Sequence, residues 1–158
     1  MTVALVVDAS VGLKWALREP DSRLAEALLL SAEELLVPDF WLNEATNILW
    51  LQVHRKGTPQ RPSWTPAEAR NGLDLLQAAI KPTGTTNMGL HSIALDIALA
   101  VDHSPYDCLY AAFAIAMGAN HVVVADGPLV TAMRRHPDPR VASLPLPLDH
   151  WARSAGVP

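Results

Sequence analysis

Acidic side chains stand at four places where a carboxylate is unusual. Asp8 closes the apolar run Val3–Ala4–Leu5–Val6–Val7, and Asp126 closes Val122–Val123–Val124–Ala125 in the same way. Glu44 falls in Leu42–Asn43–Glu44–Ala45, early in a long amphipathic stretch, and Asp107 opens the nearly all-apolar stretch Cys108–Leu109–Tyr110–Ala111–Ala112. Strands that end side by side would bring Asp8 and Asp126 to one place. Carboxylates held within several ångströms repel one another and take raised pKa values. A divalent cation relieves that repulsion. Oxygen-only ligands suit Mg²⁺ or Mn²⁺, and magnesium is usually held by few carboxylates together with waters and substrate phosphates. Such a set can polarise a phosphodiester, activate a water and stabilise a leaving oxygen.

Each acid also has a plain structural use. Asp8 and Asp126 suit N-caps of the helices that follow them. Ser104-x-x-Asp107 resembles a capping box with Asp in place of Glu, with Pro105 at the favoured first position. Glu44 suits the dipole at a helix N-terminus. It is the set of four, not any member, that points to a metal site.

The elements that must position these residues alternate in type. Residues 3–7 read as a buried strand. Residues 9–18 and 21–33 read as helices, with Asp21 or Ser22 as a cap between them. Leu35–Val37 is a short strand stopped by Pro38. From Phe40 to Arg55 the residues Trp41, Ala45, Ile48, Leu49 and Gln52 recur at helical spacing. The connection 57–66, with three prolines and a glycine, is a helix–helix loop. Thr65–Pro66–Ala67–Glu68 starts a helix that runs to about Ile80. A short strand is expected within 81–88, helices over 90–101 and Pro105–Met117, a strand at Val122–Ala125, a helix over 128–136 and a last short strand at Val141–Leu144. Pro145, Pro147 and Pro158 mark a C-terminal tail, 145–158. Strands alternating with helices imply an α/β fold: a central, mostly parallel sheet of about four to five strands flanked by helices. In such sheets ligands bind beyond the carboxyl ends of the strands, where Asp8 and Asp126 fall.

The chain has 158 residues, half of them apolar, which fits a single domain over 1–158 with a core of about 3–144. The one cysteine, Cys108, excludes an internal disulfide and a cysteine-based zinc cluster. No apolar run has the length of a bilayer span and no signal or transit peptide is seen, so a cytoplasmic protein without membrane association is expected. A formal charge of −4 argues against an extended nucleic-acid coat, though a metal can invert the charge at one small site. The local cations Lys14/Arg18, Arg55–Lys56 and Arg134–Arg135 read as solvated faces. The six histidines are scattered, with His103 and His121 flanking the acid-bearing segments. Trp41 and Trp50 cannot share one narrow helix stripe, so one of them faces outward, toward a partner.

VVDASVGLKW, LNEATNIL after Pro38, PYDCLYAAFA and VVVADGPLV occur in the order and context of the PIN domain, and the chain most resembles the VapC toxins of bacterial toxin–antitoxin pairs, from Val3 to about Leu144. The resemblance implies a PIN-like fold and Mg²⁺- or Mn²⁺-dependent cleavage of RNA. It implies an acidic site of Asp8, Glu44, Asp107 and Asp126. Asp8 and Asp107 are its metal ligands, Glu44 binds metal or a water on it, and Asp126 acts in the outer shell or holds a second ion. Ser10 matches the family's hydroxyl two residues after the first acid; it either supports Asp8, touches a phosphate or caps its own helix. Asn47, one turn after Glu44, either orients it or faces solvent. Val124 stands where the family usually has Thr or Ser, which bears on Asp126 as a direct ligand. A homodimer and a VapB-like antitoxin are the implied partners.

Two other readings remain open on the sequence. A phosphatase or phosphotransferase of another doubly wound fold would use Asp8 as nucleophile, but would want an acid where Ser10 stands and a well-placed lysine. A PIN module that binds without catalysis is the other, and Val124 leaves it room.

Overall fold

The computed structural model describes residues 2–125 and 127–158. Among these a four-stranded, all-parallel sheet runs in the order β2–β1–β3–β4: β1 is Ala4–Val7, β2 Glu34–Leu36, β3 His121–Val124 and β4 Pro145–Pro147. The two central strands are those whose sequences are apolar on both faces. Val6, Val7 and Val123 are fully buried, as a parallel strand covered on both sides requires. The edge strands are shorter and only partly buried. β4 holds two prolines, which an edge tolerates because one of its sides carries no ladder.

From β1 the chain passes to β2 on one side, and later returns to place β3 on the other. The order therefore reverses between β1 and β3, and a crevice opens beyond their carboxyl ends. The backbone N–H of Asp8 donates to the carbonyl of Val123 across this point, at 3.1 Å.

Around the sheet lie α1 (Ala9–Gly12), which runs on through a 3₁₀ turn at Leu13–Trp15, α2 (Ser22–Leu29), α3 (Trp41–His54), α4 (Pro66–Ala79), α5 (Leu90–Val101), α6 (Pro105–Met117), α7 (Gly127–Met133), α8 (Pro139–Ala142) and α9 (Leu148–Ser154). The capping chemistry of α4 is as the sequence specifies: Thr65 and Glu68 exchange hydrogen bonds, with Pro66 at the first position. α1 packs on α3 at Gly12, where an added Cβ would lie 2.2 Å from Trp41 Cζ2. Trp41 is wholly buried and lies against Trp15, whose indole N–H donates to the carbonyl of Ala25. Glycine at position 12 thus sets how close α1 and α3 come, and these two helices carry Asp8, Ser10 and Glu44.

Several sequence expectations are corrected. The first helix is short and becomes 3₁₀ after Gly12, and the second stops at Leu29. Residues 81–88 contribute one isolated bridge, Thr83 to Pro38, rather than a strand. Residues 139–142 are helical. The last strand is instead Pro145–Pro147, and the expected tail supplies both that strand and α9, which buries Leu148 and Trp151. Prolines that suggest a tail are accommodated here because they stand at a half-buried sheet edge, where one side needs no ladder. Asp21 precedes α2 at φ 62° without a side-chain cap, while Ser22 ties Glu19 to Leu17 through its hydroxyl. No helix among the described residues is long and apolar enough to cross a membrane.

Candidate active site

The crevice beyond β1 and β3 holds a cavity of about 450 Å³. Its lining comes from four segments distant in sequence, three of which bring polar side chains. The start of α1 brings Asp8 and Ser10, α3 brings Glu44 and Asn47, and α6 brings Tyr106 and Asp107. Leu13, Ile48 and Leu129 form its apolar wall. Asp8, Glu44, Asp107, Ser10 and Asn47, singled out on sequence, are therefore brought together. Asp126 lies outside the described residues.

Asp8 does two things. Its Oδ2 accepts from the Ser10 N–H at 2.8 Å and so caps α1, and the same carboxylate faces the cavity. The capping use and the site use are compatible because a carboxylate has two oxygens. The Ser10 hydroxyl accepts from the N–H of Ala125 at 3.1 Å, which joins α1 to the end of β3. Ser10 thus braces the two strand ends rather than capping its helix. Val124 is buried in β3, opposite Pro147.

Asp107 does not close a capping box. Ser104 alone caps α6, accepting from the N–H of Tyr106, and Asp107 Oδ2 meets His103 Nε2 at 3.0 Å. On sequence His103 merely flanked the site. The signal that would have found it is its place just before the Ser104 cap, four residues ahead of Asp107, from which a side chain can fold back over the first turn.

Glu44 accepts from the Tyr110 hydroxyl. Its carboxyl is pushed up to about 7, mainly by burial. The Tyr110 hydroxyl opposes the rise, the negative charges of Asp8 and Asp107 add to it, and Tyr106 opposes it weakly. Those charge contributions show the three acids acting on one another. Tyr110 is itself pushed up, first by burial and then by Asp8 and Glu44. Neither tyrosine was singled out on sequence. Tyr110 was detectable: it lies three residues after Asp107 on a buried helix, and a buried tyrosine hydroxyl needs an acceptor. Asn47 is exposed at the cavity rim and makes no side-chain hydrogen bond to Glu44 among the described residues.

Among the described residues no three Asp, Glu, His or Cys side chains form a ready-made metal cluster. Two of the acids are instead turned onto protein partners, Glu44 onto Tyr110 and Asp107 onto His103. The donor set nevertheless fits a hard cation. It consists of carboxylate oxygens around one cavity, and one carboxyl is raised by burial first and then by the charge of the other two, a repulsion that a bound cation relieves.

A parallel α/β sheet with acids gathered at its switch point is an arrangement common to enzymes that handle phosphate esters with a divalent cation. The family itself is explicit: a model of the PIN domain matches residues 5–130, and the chain belongs to the PIN domain family. PIN domains are generally nucleases that use divalent metal ions. The crystal structure of PAE2754 from Pyrobaculum aerophilum is similar over 100% of both chains, with a TM-score of 0.66 at 18% identity, a likeness of fold. No curated protein matches the chain.

Proposed function

We propose that this PIN domain is an Mg²⁺- or Mn²⁺-dependent endoribonuclease, the VapC-like toxin of a type II toxin–antitoxin pair. The observation that carries the reading is the meeting of Asp8, Glu44 and Asp107 at one cavity, with the Glu44 carboxyl raised to about 7 by burial and by the other two acids. Asp8 and Asp107 are the proposed metal ligands, and Asp126 completes the acidic set. When bound, the cation supplies charge neutralisation and Lewis-acid stabilisation of the pentacovalent phosphate. The chain's own residues do the rest. Ser10 holds the ends of β1 and β3 together. His103 orients Asp107, and Tyr110 orients Glu44. Glu44, with a carboxyl poised near neutrality, is suited to take a proton from an attacking water.

Ser10 also speaks against the phosphotransferase reading. The place where such an enzyme would want a second acid holds a hydroxyl already engaged by the Ala125 N–H.

The proposed partners, a second copy and a VapB-like antitoxin, are supported by exposed apolar surface. Leu95 and Leu99 stand one turn apart on α5, with Leu99 75% exposed. Trp50, 54% exposed, borders an apolar groove between α3 and α4 lined by Leu49, Val53 and Leu73. Trp41 is the buried one of the pair.

The test is RNA cleavage with Mg²⁺, Mn²⁺ or chelator, beside hydrolysis of a phosphate monoester. Metal-dependent RNA cleavage lost in Asp8→Asn supports the reading. Monoester hydrolysis without RNA cleavage refutes it.

A further inference from the structure

The cleft does not stop at the acids. A second cavity, of about 350 Å³, shares Ser10, Leu13 and Ile48 with the acidic one and extends to Lys14 and Glu19. Together they span the size range of ligand-binding clefts. The sequence pairs Lys14 with Arg18 as a solvated basic face. Arg18 does project into solvent, but Lys14 is only 9% exposed. Burying an ammonium is costly unless it is partnered. Its Nζ meets Glu19 Oε2 at 3.1 Å, and the other oxygen of Glu19 meets Arg61 Nη2 at 3.3 Å.

Two cations thus share one carboxylate, leaving this end of the cleft with an excess positive charge in a chain of net charge −4. An ammonium carries three donors, and among the described residues Glu19 engages one of them. Holding the loop would not require Lys14, since Arg61 already reaches Glu19 from the α3–α4 connection. The acidic cavity repels a polyanion, so a nucleic-acid strand crossing it needs a compensating cation along its path.

We propose that Lys14, held in place by Glu19, binds the backbone phosphate next to the one cleaved, so that a single RNA strand runs from the acidic cavity over Leu13 into the Lys14 cavity. This rests on the reading of the chain as an RNA-cleaving enzyme and adds to it the direction and charge register of the substrate. Lys14 is then a substrate-binding residue rather than a structural cation.

The experiment uses a short labelled single-stranded RNA and the Asp8→Asn protein, expected to bind without cutting, in Mn²⁺ at several salt concentrations. In one arm, each backbone phosphate in turn is replaced by an uncharged methylphosphonate. In the other, Lys14→Met is added; it keeps the apolar stem and leaves Glu19 paired with Arg61. The expected result is that Lys14→Met weakens binding about ten-fold, the loss of one charge-assisted hydrogen bond. The slope of log K against log salt should fall by about 0.7, the value for one single-strand phosphate. One methylphosphonate position should weaken binding equally with Lys14 present and have no effect in Lys14→Met. A merely structural Lys14 would change thermal stability without removing that position-specific effect. Unchanged affinity and slope in a folded Lys14→Met protein overturns the proposal. If that variant does not fold, the methylphosphonate scan on the Lys14 protein decides alone, and equal losses at every position overturn it; so does the absence of any RNA binding. Cleavage by the unsubstituted protein is scored separately. Lys14-dependent binding without metal-dependent cleavage would refute the nuclease reading while leaving the phosphate site standing.

Discussion

At Glu44 the chemistry of the site becomes a measurable property of the fold. Its carboxyl titrates at 4.5 ordinarily and at about 7 here, with burial the main cause. The folded state therefore keeps a proton that the unfolded chain releases between those values. As far as this group is concerned, metal-free stability is greatest below pH 4.5, falls as pH rises to about 7 and is level beyond. Discounted for the solvent that reaches a partly exposed side chain, the loss is about 1–2 kcal/mol. Chemical denaturation in chelator at pH 5 and pH 8 should show it, and Glu44→Gln should flatten the difference and be the more stable protein at pH 8. A Glu44→Gln profile parallel to that of the parent would show that the Glu44 carboxyl is not raised in the folded protein. Asp8→Asn should abolish metal-dependent RNA cleavage with the fold retained, because an amide replaces a hard anionic donor. Circular dichroism and an RNA digest on the same sample check both halves of that statement. Asp8 and Asp107 were legible in the sequence from their place at a strand end or helix start, and Ser10 from the resemblance to the family. His103 and Tyr110 left only weaker signals, a spacing from Asp107 and a buried hydroxyl in need of an acceptor, and which acid each would meet depends on the way that acid turns.

Between elements, the site depends on how closely α1 approaches α3. Gly12 sits under the Trp41 ring at a distance no Cβ tolerates, so the substitution Gly12→Ala must displace either a wholly buried indole or the helix itself. The cost should be about 1–3 kcal/mol, typical of overpacking, and thermal denaturation will read it. Cleavage should fall by more than the lost folded fraction accounts for, because Asp8 and Glu44 ride on the two displaced helices. Equal losses of activity and folded protein would show that the site tolerates the shift. Strong local patterns predicted the elements well: the Thr65–Glu68 box, the stripe of α3 and the apolar runs of β1 and β3 all stand as read. The chain after Val141 was misread because a Pro–Leu–Pro segment has poor strand propensity and acquires its conformation from β3.

Over the whole molecule, a metal bound only by the native state should raise its melting temperature by mass action. Adding Mn²⁺ should do so more at pH 8 than at pH 5, where Glu44 keeps its proton and the charge repulsion a cation relieves is smaller. Asp8→Asn should gain much less from the metal. Scanning calorimetry with Mn²⁺ and with chelator reads these differences, and an equal rise at both pH values would place metal binding away from Glu44. Association is the other property at this scale. The exposed pair Leu95 and Leu99 on α5 predicts a dimer by sedimentation equilibrium, weakened by Leu99→Glu without loss of the fold. A concentration-independent monomer would remove the proposed self-association.

The class of fold was legible in the sequence alone, and so were Asp8, Glu44 and Asp107 as candidates, which the structure gathers at one cavity. Both are written in local pattern: apolar runs that must be buried on both faces, and charged residues that interrupt them at their ends. What each side chain does was decided only in three dimensions. Asp107 turned from a helix cap to His103, Lys14 from a solvated cation to a buried one paired with Glu19, and the proline-rich end from a tail to an edge strand. The reason is physical: burial and strand pairing depend on residues distant in sequence, such as Ala125 against Ser10, which no local window contains, and even a near neighbour such as His103 is met only by the way the chain turns.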